Sequence, residues 1–372
     1  MSMRHRTSLI RTLPTLIFGL LGCCWGMPVN LPGRADAVDT SPEPLVYRNP
    51  ISSGIDPAGV RDCQVFRDGD RWFMVATSAP FIKGPNPGVR LYSSNTLTDW
   101  RDEGLILDRT TIDPAAWYQE RFWAPEIHRI QDRYFLLVNC RISGRYAEHD
   151  MGGLVAAADT LHGPYQVLTP DAPLVYGNDL SFFEDHDGRV YAFWNGHQQI
   201  LAAEVDMETM RTLGEPIIML ESTRKTWDGV GVEGPFVAMR DQTYYLLYSS
   251  WTRGYEIGYA TAPGPLGPWT KAAHNPIYGA QNPESCRQKG VPYTGNPDLP
   301  FEAVGHGQIF TGPDGRWWIS CHGIIPGNPP FLCIDPLDFT NDGQILRREP
   351  SYTPQGLSPQ ANTHMEQAIG QP

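Results

Sequence analysis

The chain is short of charge, of long apolar runs and of paired cysteines, and each shortage excludes something. Only 19% of its 372 residues are charged, and 29 Lys and Arg stand against 41 Asp and Glu, a net charge of -12. With no basic run to offset the repulsion of a phosphate backbone, nucleic acid is excluded as a partner. The apolar run Leu16-Ile17-Phe18-Gly19-Leu20-Leu21 falls far short of the roughly 20 residues a membrane-spanning helix needs. Five cysteines follow position 24: Cys63, Cys140, Cys286, Cys321 and Cys333. They lack the Cys-x-x-Cys spacing of a structural zinc site, which leaves buried thiols or one disulfide, with Cys321 and Cys333 able to face each other across a hairpin.

What is plentiful is turn formers and aromatics: 37 Gly, 34 Pro, 16 Tyr, 14 Phe and 11 Trp. That mixture suits many short strands joined by turns, so the expected class is all-β. Residues 1–24 read as an export signal, because Arg4, Arg6 and Arg11 precede the short apolar run. The run ends Leu20-Leu21-Gly22-Cys23, which resembles a bacterial lipoprotein signal with Cys23 as the lipidated residue; an ordinary signal peptide cut shortly afterwards is the alternative. Either way the mature chain is expected outside the cytoplasm, as a secreted, periplasmic or cell-envelope protein. Residues 25–44 read as a linker and 351–372 as a tail.

Between them a degenerate repeat organises residues 45–350. A turn followed by an aromatic strand recurs five times: Asp68-Gly69-Asp70-Arg71-Trp72, Gln131-Asp132-Arg133-Tyr134, Asp187-Gly188-Arg189-Val190-Tyr191, Asp241-Gln242-Thr243-Tyr244 and Asp314-Gly315-Arg316-Trp317. Asp-Gly and its variants supply the positive φ that tight hairpins need, and the aromatics suit a pleated, packed surface. The first aromatics are 62, 57, 53 and 73 residues apart, and each unit has room for about four strands, the content of one propeller blade. The expected fold is a single five-bladed β-propeller of four-stranded antiparallel blades. The long fourth interval comes from the insertion between Gly279 and Val304, expected as a loop at the rim. A two-sheet sandwich would need no fivefold recurrence.

In a propeller the first strand of every blade lines the central channel, so equivalent positions converge. Counting back ten to twelve residues from the aromatic markers lands on Asp62, Ala124, Asp179, Glu233 and His306. Three carboxylates meeting in one volume are costly unless they titrate apart, bind a cation or do chemistry. Glycoside hydrolysis uses such a group: one carboxyl with a raised pKa protonates the leaving oxygen, and another activates water or attacks the sugar.

These segments resemble glycoside hydrolase family 43, a family of five-bladed propellers acting on arabinose- and xylose-containing polysaccharides. The resemblance rests on Asp62-Cys63-Gln64-Val65-Phe66, Trp123-Ala124-Pro125-Glu126, Asp179-Leu180-Ser181-Phe182-Phe183, Glu233-Gly234-Pro235 and Gly305-His306-Gly307, which follow the family's order. Cys63-Gln64 stands where the family has Pro-Ser, and Leu180 where it has Pro, which marks a divergent member. The resemblance implies Asp62 as general base, Asp179 as the residue that tunes and orients the acid, and Glu233 as general acid. It implies an inverting mechanism, with acid and base about 6.5 to 9.5 Å apart. His306 corresponds to a histidine that in many members lies near a channel-bound calcium, making it the candidate metal-shell residue, with a direct substrate contact or a satisfied core histidine as the other readings. Trp123 and Trp251 are the candidate sugar-stacking platforms. The expected substrates carry arabinofuranosyl, xylosyl or galactosyl linkages. A related propeller glycosidase or phosphorylase, or a carbohydrate-binding propeller without turnover, are the rival readings.

Overall fold

The computed structural model describes residues 45–142 and 150–357. The expected signal, the lipidation site Cys23 and the linker lie outside the described residues, as does the tail from 358 onward. Five antiparallel sheets follow one another along the chain. Blade I is β2 (Val60–Asp68), β3 (Arg71–Ser78), β4 (Gly88–Ser94) and β5 (Arg101–Asp108). Blade II is β6 (Phe122–Ile130), β7 (Arg133–Arg141), β8 (Met151–Ala158) and β9 (Gln166–Val167). Blade III is β10 (Asn178–Glu184), β11 (Val190–Gly196), β12 (Gln199–Asp206) and β13 (Arg211–Glu221).

The last two blades depart from the expected four strands. Blade IV has β14 (Glu233–Arg240), β15 (Thr243–Ser250), β16 (Gly254–Ala262) and β17 (Thr270–Lys271), and β18 (Tyr278–Gln281) also pairs with β16. The insertion therefore opens as a strand, continues as α1 (Pro283–Lys289) capped by Asn282, and only then becomes loop. Blade V has three strands: β19 (Ala303–Thr311), β20 (Trp317–Ile324) and β21 (Phe331–Pro336). Its outer edge is met by the start of the described chain, where Ile51 bridges Leu332 and the Asn49 side chain bonds both N–H and C=O of Ile334. This contact closes the ring. A two-stranded sheet of β1 (Leu45–Tyr47) and β22 (Gln355–Leu357) joins the two ends, so the first residues of the expected tail belong to the fold.

Packing between two neighbouring blades explains why the second strand of each blade is buried on both faces along most of its length, with alternate residues facing alternate neighbours. Trp72, Met74 and Ala76 of β3 pack toward blade V, while Phe73 and Val75 pack toward blade II. Along β15, Tyr244, Leu246 and Tyr248 face blade III, and Tyr245 and Leu247 face blade V. The core is thus five layers between blades rather than one centre. The five cysteines named above are buried thiols, with Cys321 and Cys333 directly opposite each other on β20 and β21.

Candidate active site

Every innermost strand carries the same irregularity. The ladder slips between Arg61 and Gln64, Trp123 and Glu126, Asn178 and Ser181, Glu233 and Phe236, and Gly305 and Gln308. The residue after the first of each pair has positive φ: Asp62 52°, Ala124 42°, Asp179 55°, Gly234 57° and His306 60°. Bulges of this kind re-aim side chains, and left-handed backbone at non-glycine residues concentrates at functional sites. Two rings result. Asp62, Ala124, Asp179, Gly234 and His306 form one; Arg61, Trp123, Asn178, Glu233 and Gly305 form the ring one residue earlier. Glu233 is therefore not the register equivalent of Asp62 and Asp179 but sits one position before it. The count from the aromatic marker misses this because the hairpins of blades III and V are a residue longer than the others.

The second residue of each slip is Pro125 or Pro235 in blades II and IV, and Cys63, Leu180 or Gly307 elsewhere. Cys63 and Leu180 are fully buried between blades, and Gln64 bonds the backbone N–H and C=O of Ile127 in blade II. The departures from the family pattern thus serve packing between blades.

A cavity of about 180 Å³ opens over the two rings. Asp62, Asp179, Glu233, Trp123, Trp251 and His306 all line it, so the structure brings every sequence-predicted site residue to one place. Asp62 accepts from the Thr77 hydroxyl at 2.7 Å, and its Oδ1 lies 3.3 Å from His322 Nδ1 and 3.6 Å from His306 Nδ1. Burial works against its charge, but His306, His322, Arg61 and the Thr77 bond together hold its carboxyl down at about 2. His322 has no solvent exposure, and its Nδ1 accepts the Asp62 backbone N–H at 3.0 Å. Burial depresses its pKa to about 3, with Asp62 opposing and Arg61 and His306 adding. The ring is a neutral partner.

Asp179 goes the other way. Burial and the Asp62 charge push it up to about 8, against a hydrogen bond from the Gly234 N–H to its Oδ2 at 3.0 Å. Glu233 is raised to about 7 by burial and by Asp179, opposed by donors from Tyr255 and Trp251 and by His306. Trp251 Nε1 and the Tyr255 hydroxyl reach the same oxygen, Oε1, at 2.6 and 2.7 Å. Near neutral pH the Asp179–Glu233 pair holds about one proton between them, a property of the pair rather than of either residue. The residue expected to tune the acid thus shares a proton with it.

The two tryptophans are used differently. Trp251 lies 3.6 Å from the Tyr255 ring with planes 9° apart, and the Arg61 guanidinium sits 5.5 Å over it. Trp251 therefore offers its N–H to Glu233 rather than an open face to a sugar. Trp123 hangs at the mouth beside Phe81, whose carbonyl accepts its Nε1 at 2.8 Å. His306 is nearly fully buried, with the Tyr255 hydroxyl 3.4 Å from its Nδ1. Calcium takes six to eight oxygens, whereas His306 offers a nitrogen beside one carboxylate and one phenol. Among the described residues no group of three or more His, Cys, Asp or Glu side chains is arranged to hold a metal. These donors do not fit calcium, and no step below runs through a metal.

Sequence reasoning missed Arg61, Thr77, Asn178, Tyr255 and His322. Arg61 and Asn178 directly precede two of the acids, so the same register would have found them. Tyr255 and His322 come from the third strand of blade IV and the second strand of blade V, which carry no axial signal.

The sequence pattern of glycosyl hydrolases family 43 matches residues 47–345, the whole ring of blades. The chain belongs to glycoside hydrolase family 43. Family 43 relatives include a non-reducing end α-L-arabinofuranosidase of Bacteroides ovatus, 28% identical over 297 residues, covering 77% of this chain and 49% of that protein. A xylosidase/arabinosidase of Butyrivibrio fibrisolvens is 26% identical over 292 residues, covering 74% and 50% respectively. The crystal structure of a thermostable family-43 glycoside hydrolase superimposes with a TM-score of 0.67 at 27% identity, covering 85% of this chain and all of that one. The chain spans about half the length of these two curated relatives.

Proposed function

We propose that this family 43 chain hydrolyses O-glycosidic bonds with inversion, using Asp62 as general base and Glu233 as general acid. The observation that carries the reading is the separation of proton affinities within one pocket. Asp62 is held at about 2 and stays ionised, while Asp179 and Glu233 are pushed to about 8 and 7. Carboxyls driven apart in this way divide into acid and base roles. Glu233 gives its proton to the glycosidic oxygen as the bond to the sugar carbon breaks. Asp62 takes a proton from the water that attacks the opposite face of that carbon. Asp179, bonded to the Gly234 N–H next to the acid, shares a proton with Glu233, so the two are not ionised together and Glu233 can hold its proton until transfer. The names of the relatives support arabinofuranosyl, xylosyl or galactofuranosyl substrates, and Trp123, half-buried in the pocket lining, supports an apolar partner for a sugar ring. Export from the cytoplasm belongs to the same proposal. Its support is the charged and apolar pattern of residues 4–21.

Hydrolysis of aryl α-L-arabinofuranosides, β-D-xylosides and β-D-galactosides is the test. Asp62→Asn and Glu233→Gln are each expected to lose at least about a hundredfold in kcat, and the first product seen by NMR should have the inverted anomeric configuration. Wild-type rates in either variant would remove the assignment, as a retained anomer would remove inversion. Sugar binding without turnover by the wild type would favour a binding propeller instead.

A further inference from the structure

The oxygen from which Glu233 would deliver its proton is fixed by a pair of neighbours that no sequence motif marks. Trp251 Nε1 and the Tyr255 hydroxyl both donate to Oε1, and among the described residues no protein donor reaches Oε2. The two donors form one unit, because their rings are stacked at 3.6 Å with planes 9° apart. Room for Tyr255 is made by blade V. Where the other blades place Arg61, Trp123, Asn178 and Glu233 in the ring one residue before the bulge, blade V places Gly305, and a Cβ there would lie 2.2 Å from the Tyr255 ring. His322 packs beside the stack, its ring centre 5.5 Å from that of Tyr255 and 6.3 Å from that of Trp251.

We propose that Tyr255 and Trp251 are positioning residues for the acid: they hold Oε1 as the fixed acceptor and leave Oε2 as the oxygen that carries and delivers the proton. This rests on the reading of Glu233 as the acid. When the O–H bond at Oε2 breaks and the proton passes to the leaving oxygen, the negative charge left on the carboxylate is met by two donors already in place. They need no reorganisation, which is the form of stabilisation that contributes most in a buried site. Tyr255 remains a donor throughout, because burial and the surrounding carboxylates push its phenol well above the ordinary value. The charged and titratable groups facing Glu233 are Asp179 from β10, Asp62 and Arg61 from β2, His306 from β19 and Tyr255 itself from β16.

The sign of the pH effect follows. The two donors favour the ionised form of Glu233, so removing one raises its pKa, and the alkaline limb of activity moves to higher pH even as the rate falls. The experiment compares Tyr255→Phe and Trp251→Phe, each of which keeps an aromatic ring in the stack, with Glu233→Gln. Substrates are dinitrophenyl glycosides, whose leaving group departs without a proton, and the matching phenyl glycosides of the sugar the wild type turns over. Expected for both Phe variants is a loss of about tenfold or more in kcat on the phenyl glycoside with KM nearly unchanged, and a loss under about threefold on the dinitrophenyl glycoside. The alkaline limb of the Phe variants should rise. Equal losses on both substrates, or an unmoved alkaline limb, in Phe variants that melt like wild type would overturn the inference while a clear split in Glu233→Gln leaves the acid assignment intact. Absence of that split in Glu233→Gln would overturn both.

Discussion

Asp179 is the residue at which function and stability pull hardest against each other. Its carboxyl is buried, with 6% exposure, and raised to about 8. A carboxyl whose folded pKa lies above its unfolded value binds protons more tightly when folded. Its contribution to stability is full below about pH 4 and is lost as pH rises through about 8. Asp179→Asn keeps an oxygen for the Gly234 N–H and removes the charge, so it should stabilise the protein by roughly 1–3 kcal/mol at about pH 8.5 and by almost nothing near pH 4. Urea melts at the two pH values check this; equal midpoint shifts at both would refute it. Asp62 has the opposite sign, since its pKa is lowered to about 2: its stabilisation is present above about pH 4 and lost as pH falls through 2. Asp62, Asp179 and His306 were legible in sequence because one register repeats five times, and Glu233 and Trp123 because they stand one residue before it. Tyr255 and His322 were not, since their approach depends on how blades IV and V pack, which no local pattern encodes.

At the level of the element, turn geometry determined what could be read. Blades I, II and IV use two-residue hairpins, and in blade IV both turn residues, Asp241 and Gln242, have positive φ, 50° and 63°. Left-handed backbone at residues with a side chain costs about 1 kcal/mol or more apiece, and Asn-Gly is the pair such a turn favours. The double substitution Asp241→Asn, Gln242→Gly is therefore expected to raise the urea midpoint, worth about 1 kcal/mol, with kcat unchanged because the turn lies outside the pocket lining. A lowered midpoint would mean the Asp241 side chain does more than turn the chain. Turn signals announced the five blades, but the extra residue in two of the hairpins misplaced Glu233 by one ring. The third strand of blade V with no fourth beyond it was illegible for a different reason: what meets that edge lies some 280 residues earlier in the chain.

At the scale of the molecule one buried carboxylate ties together the segments that flank the closure of the ring. Asp335, on the outer strand of blade V and without solvent exposure, accepts from the Tyr47 hydroxyl at 2.8 Å, the Tyr278 hydroxyl at 2.6 Å, the Ser351 backbone N–H at 2.9 Å and Asn49 Nδ2 at 3.3 Å. Arg348 Nη2 lies 3.2 Å from its Oδ1. The start of the described chain, the inserted strand of blade IV and the segment after blade V thus converge on a single side chain. An open ring would expose the apolar layer between blades V and I, where Tyr47, Val65, Trp72, Phe310 and Trp318 pack. Asp335→Asn turns an acceptor into a donor facing other donors and removes the nearer of the two carboxylates, Asp335 and Asp338, that face Arg348. Breaking a buried pair from one side costs about 3–5 kcal/mol, and Asn49→Ala should cost roughly 1–3 kcal/mol by leaving the Ile334 N–H and C=O unpaired. Because every blade is packed between two others, the loss should be felt by the whole ring: far-ultraviolet circular dichroism and tryptophan fluorescence should report one shared transition at a lower urea concentration. A separate early step, with the main transition left in place, would show instead that the segments before blade I and after blade V peel away from a ring able to stand without them.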